Sequence, residues 1–162
     1  MRKVYISILT VLAFLAVSPG SMAIDHPGIT RPVKSVSDFV LIEDGKPVTI
    51  IVSSTDDTAV LRAAANLQND FFMVCGTRPE IRESAETDCA VIAGSLSSDI
   101  IKSMIADNLI DVRDLEGYRE KYVIRFVKNP VEGVGEALVI VGSDRRGAVY
   151  GIYELSEQIG VS

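Results

Sequence analysis

Apolar and polar positions divide the chain into alternating short runs and one long stripe. Residues 39–42 (Phe-Val-Leu-Ile) form an apolar run that predicts a strand, and Asp44-Gly45 behind it predicts a hairpin turn. Residues 47–52, with Val48, Ile50 and Ile51, are the expected return strand. Val60, Ala64, Leu67, Phe71 and Val74 then recur at i, i+4, i+7, i+11 and i+14, the signature of a long amphipathic helix. Asp56 or Asp57 stands where a side chain can accept the first free N–H groups of that helix, and Gly76 where a left-handed C-cap is expected. A short strand is expected at 80–82, and the polar loop 83–88 follows. Residues 89–93 (Cys-Ala-Val-Ile-Ala) and 137–141 (Ala-Leu-Val-Ile-Val) lack polar alternation, which predicts strands covered on both faces.

Between these two runs, Ser97 or Ser98 can cap a helix carrying Ile100, Ile101, Met104 and Ile105. Residues 109–115 read as a connector. Residues 121–128 alternate Tyr122, Ile124 and Phe126 against Lys121, Val123, Arg125 and Val127, a strand with one better-buried face, stopped by Asn129-Pro130. Gly142-Ser143-Asp144 turns the chain into a last helix over about 146–159. Strands thus alternate with helices after the opening hairpin. The expected fold class is α/β, a mixed β-sheet with helices packed on it in two or three layers, occupying residues 38–162.

The first residues follow a different pattern. Arg2 and Lys3 precede an apolar run over 4–17 broken only by Ser7 and Thr10; Pro19-Gly20 and then Ser21-Met22-Ala23 follow. A basic start, a short apolar stretch and small residues at −3 and −1 predict a signal peptide over 1–23 with cleavage after Ala23. The run is shorter than the roughly 20 apolar residues of a membrane span. The expectation is an exported chain, periplasmic or secreted, with no membrane attachment after cleavage. Residues 24–37, with Pro27, Gly28 and Pro32, read as a linker.

The formal net charge of −6 becomes more negative once Arg2 and Lys3 are removed, which disfavours nucleic acid and anionic lipid as partners. With 162 residues the chain is too short for a complete (β/α)8 barrel, which takes about 250. An exported chain can oxidise Cys75 and Cys89 to a disulfide, or keep both as small buried thiols. A domain of this size needs no such staple, which favours thiols.

Candidate chemistry is sparse. His26, in the linker, is the only histidine, so neither a Ser-His-Asp triad nor a zinc site is expected. Gly142-Ser-Asp-Arg-Arg-Gly147 joins a buried strand to a helix, where a phosphate loop would sit. Ala148-Val149 stands where that motif requires Lys and then Ser or Thr, and Asp144 would repel a phosphate; a capped turn explains the segment better. No cofactor or metal is implied. Acid pairs such as Asp56-Asp57 and Glu83/Glu86 fit turns and solvated faces. Gly147 and Gly151 share one helix face, where missing Cβ atoms allow a close approach.

The stretch 142–162, GSDRRGAVYGIYELSEQIGVS, resembles the end of the N-terminal domain of glycoside hydrolase family 115, the xylan α-1,2-glucuronidases. The looser pattern Arg146-Gly147-x-x-Tyr150-Gly151 also resembles the N-terminal domains of families 20, 67 and 84. Residues 39–45 (FVLIEDG), 61–67 (LRAAANL) and 137–146 (ALVIVGSDRR) agree, so the resemblance spans about 37–162. It implies a non-catalytic accessory domain. In the family a catalytic barrel follows and carries the general acid and base, so no catalytic residue is carried over, and the chain alone is expected to be inactive, a fragment lacking the barrel. Its implied partner is the barrel of a parent or split hydrolase, met by a helix face with Arg146, Gly147, Tyr150 and Gly151. The alternative is a stand-alone exported module binding acidic xylan oligosaccharides, with Arg145 and Arg146 meeting a uronate.

Overall fold

The computed structural model describes the backbone of residues 4–6 and 30–31 and the whole of residues 39–161. The expected cleavage site and His26 lie outside these, as do most of the expected signal peptide and linker. The described pieces of those two segments are short strands, β1 (Val4–Ile6) and β2 (Thr30–Arg31). They join β3 (Phe39–Glu43) and β4 (Lys46–Pro47) in an antiparallel sheet of order β2-β1-β3-β4. Asp44 and Gly45 both adopt positive φ, 50° and 76°, the geometry of a tight two-residue hairpin.

The main sheet has order β6-β5-β7-β9-β8. Its strands are β5 (Thr49–Ile51), β6 (Ile81–Arg82), β7 (Thr87–Ser95), β8 (Tyr122–Lys128) and β9 (Val134–Gly142). Neighbours run parallel except β8, which is antiparallel to β9. Among the described residues there are three helices: α1 (Thr58–Cys75), α2 (Asp99–Ala106) and α3 (Arg145–Gln158).

One expected element divides in two. Residues 47–52 do not form a single return strand: Lys46–Pro47 closes the hairpin and Thr49–Ile51 crosses into the main sheet. The cause is legible in Ile50 and Ile51, which are both fully buried. Successive side chains of a strand point to opposite faces, so two adjacent buried isoleucines need cover on both sides. The main sheet provides it and a surface hairpin does not.

Alternation along the central strands builds two cores. Val91, Ala93, Leu138 and Ile140 face α1 and α3 and pack with Leu67, Phe71, Ile152 and Leu155. Ala90, Ile92, Val139 and Val141 face α2 and pack with Ile101 and Met104. Residues 109–115 are irregular, yet Ile110, Val112 and Leu115 extend this second core. The result is three layers: α1 and α3, the sheet, then α2 with its connector. In α1 the buried positions are Val60, Ala63, Ala64, Leu67 and Phe71, the expected stripe up to Phe71, with Val74 half-buried. Asp57 caps this helix by accepting from the Ala59 N–H at 2.9 Å, and Gly76 ends it at φ 78°.

Candidate functional site

In an open sheet, ligands gather beyond the carboxyl ends of parallel strands, where chain connections diverge to opposite sides. Here that place lies between β5, whose connection leads through α1 to β6, and β7, whose connection leads through α2 towards β8 and β9. Its floor is polar. The Asp56 carboxylate accepts from the Asp57 N–H at 2.8 Å and from the N–H and hydroxyl of Ser95, both at 3.3 Å. The Ser95 and Ser97 hydroxyls are hydrogen-bonded at 2.7 Å. Asp56 is only 9% exposed, and its bonds tie the loop after β5 to the end of β7. Around it, Glu83 accepts from the Ser54 N–H at 2.8 Å and Thr55 donates to Asp99 at 3.3 Å.

General acid catalysis at neutral pH needs a carboxyl whose pKa is raised by burial or a like charge. Among the described residues the displaced carboxyls all move the other way. The Ala59 N–H holds Asp57 below the ordinary range, with Arg145 assisting. Bonds from Ser54 lower Glu83, and Arg82 lowers Glu80. Asp111 falls to about 2 under its contacts with Arg113. These groups hold loops and helix ends in place as carboxylates.

The end of β9 shows the same economy. Asp144 Oδ1 accepts from the Gly147 N–H at 2.8 Å, capping α3, while Oδ2 accepts from the Glu120 N–H at 3.0 Å. Both bonds lower its pKa. Ser143 clamps the same strand entry: its N–H donates to the Lys121 carbonyl at 2.8 Å and its Oγ accepts from the Lys121 N–H at 3.0 Å. A carboxylate already occupies the N-terminal end of α3, so this turn is a joint between β9, α3 and the start of β8, and not a phosphate cradle.

The two helical glycines serve the same joint. A Cβ on Gly147 would lie 2.2 Å from the Lys121 carbonyl oxygen, and one on Gly151 would lie 2.5 Å from Ile140 Cγ2 and 3.1 Å from the Tyr122 ring. A Cβ on Gly142 would meet the Ala148 nitrogen at 1.9 Å. The close approach expected of Gly147 and Gly151 is therefore made to β8 and β9 of this same domain. Both glycines are buried.

Of the four residues expected on the barrel-packing face, α3 exposes Arg146 and Tyr150. Arg146 pairs with Glu120 at 2.7 Å and donates to the Tyr150 hydroxyl at 3.0 Å. Its positive charge is thus paired with an acid of the same domain. Arg145 is 65% exposed and reaches Asp57 at 3.4 Å. Further along, an open groove of about 440 Å³ separates α1 from α3, lined by Asn66, Asp70, Tyr153 and Glu157 among others. Its two acids oppose an anionic sugar.

Cys75 and Cys89 are free thiols in the structure. Burial, with Glu136 Oε1 3.6 Å from Sγ, pushes Cys89 up to about 11. Sequence reasoning missed Glu120, whose backbone adopts φ 60° and whose side chain pairs with Arg146. It also missed the Tyr122 hydroxyl, which donates to Glu154 at 3.1 Å and is pushed up to about 12 by burial and that acid. Neither carries a local sequence signal, because each partnership spans more than twenty residues.

No protein-family profile and no curated protein matches the chain. Among solved structures, the fold is similar to part of BtGH115A, described as a novel family GH115 4-O-methyl-α-glucuronidase with specificity for decorated arabinogalactans. The TM-score is 0.60 with 24% identity over 75% of this chain. The chain spans 14% of that enzyme's length. CpGH84D also matches, at a TM-score of 0.47 and 17% identity, over 69% of this chain and 17% of that one.

Proposed function

We propose that this domain is the accessory N-terminal α/β domain of a xylan α-1,2-glucuronidase-like glycoside hydrolase, exported, and without hydrolytic activity of its own. The observation that carries the reading is the fold shared with a part of a family 115 enzyme. The carboxyl chemistry supports it: the displaced carboxyls are locked as anions by backbone and arginine donors, whereas an inverting hydrolase needs one acid kept protonated and a second carboxylate opposite it. The partner in this reading is the catalytic barrel of a larger enzyme, approached by the face with Arg146 and Tyr150. Gly147 and Gly151 act behind that face by seating α3 on the sheet.

Complementation tests it. A family 115 glucuronidase lacking its equivalent segment is co-expressed with this chain carrying an affinity tag. The reading predicts that the remainder co-purifies with the chain and is recovered in soluble form. Recovery of the remainder in equal amount and activity without this chain, and no co-purification with it, contradicts the reading.

A further inference from the structure

Strand β8 is the long outer edge of the main sheet, seven residues that among the described residues pair on one side only, with β9. The pairing fixes which backbone groups remain. Ser143 N–H to Lys121 O and Asn129 N–H to Gly135 O place the odd-numbered residues of this segment in the hydrogen-bonded pairs with β9. The even-numbered Tyr122, Ile124, Phe126 and Lys128 therefore turn their N–H and C=O groups outward. Among the described residues one of these groups has a partner, the Ile124 carbonyl, which accepts from the guanidinium of Arg125 at 3.2 Å. Beside this row Tyr122 is half-buried, and Ile124 and Phe126 on one face and Val123 on the other are half-buried at the rims of the two cores.

The charge of the edge runs against that of the chain. Lys121, Arg125 and Lys128 lie along it, all exposed, with no acidic residue between them, in a protein of net charge −6. Cations on an edge strand oppose pairing with an identical strand, and a second copy would set this basic strand against itself. They favour a strand of opposite charge. We propose that β8 is a docking edge for an extended acidic segment of another polypeptide, one alternating β-branched with Asp or Glu residues, which adds as a sixth strand. Backbone bonds to the outward groups hold the segment, its apolar residues cover Ile124 and Phe126 on one face of the sheet, and its carboxylates meet Lys121 and Arg125 on the other. This is independent of whether the domain serves a hydrolase.

The test is fluorescence anisotropy on the full chain with a labelled peptide alternating valine and glutamate. Saturable binding is expected, weakened about ten-fold or more by Arg125→Glu. It is expected to vanish when alternate peptide amides are N-methylated and to be absent for a valine–lysine peptide. Ile124→Pro removes an outward N–H and no bond to β9, so it is expected to abolish binding while the fold persists. The N-methylated peptide makes the same test without touching the protein. Absence of saturable binding at millimolar chain, or equal binding of the N-methylated peptide, overturns the proposal. So does a concentration-dependent dimer abolished by Ile124→Pro, which would assign the edge to a second copy.

Discussion

Gly147→Ala isolates the joint between α3 and the sheet. On a solvated helix this change stabilises by up to ~1 kcal/mol, because alanine is the better helix former. Here the new Cβ would lie 2.2 Å from the Lys121 carbonyl oxygen, where ordinary contacts begin at 3.4 Å. The obstacle is backbone, so α3 or the start of β8 has to move by about the difference. Overpacking of that kind costs about 1–3 kcal/mol. The same movement pulls on the bond from Ser143 N–H to Lys121 O, at 2.8 Å, worth about 1 kcal/mol net. Subtracting the propensity gain leaves a destabilisation of about 2 kcal/mol, or roughly 5–10 °C in midpoint for a domain of this size. Thermal unfolding followed by circular dichroism reads it directly. An unchanged or raised midpoint for Gly147→Ala would refute the internal role of this glycine and return it to the surface.

Other consequences concern single groups. Asp144→Asn keeps a capping oxygen and removes the charge, whereas Asp144→Ala loses the cap and about 1 kcal/mol. The folded pKa of Asp144 lies below its ordinary 3.8, so its charge contributes fully above that value and is lost as the pH falls through the folded pKa. Acid unfolding should therefore be less steep below pH ~4 in Asp144→Asn than in the parent chain; parallel acid titrations would contradict this. For Cys89, a pKa of about 11 leaves little thiolate at pH 8. Its alkylation by iodoacetamide, followed by mass spectrometry, should be about a hundredfold slower in the folded chain than in urea, and equal rates would show that the thiol is not held by burial and Glu136.

Most of the architecture was legible because it rests on local periodicity. The α1 stripe, the unbroken runs of β7 and β9 and the αL cap at Gly76 all follow from nearest-neighbour geometry. The split between β4 and β5 was legible in part: Ile50-Ile51 carried the signal of a doubly covered strand, but the Asp44-Gly45 turn pointed to a simple hairpin and outweighed it. The site was less legible. The glycine spacing in α3 correctly announced a close approach, but nothing in the spacing says which surface approaches. Lys121 and Tyr122, the actual neighbours, lie more than twenty residues away in sequence and reach the glycines only through the β8–β9 register. The neutralisation of Arg146 by Glu120 was hidden for the same reason.

The central claim is that these residues form a scaffold and not a hydrolytic site. Its most direct test is release of 4-O-methylglucuronic acid from glucuronoxylan, measured by anion-exchange chromatography with the purified full chain at high concentration and long incubation. The account predicts no release above the enzyme-free control. Release that scales with the chain and disappears when a single acidic residue, such as Asp56, is replaced by its amide would contradict it.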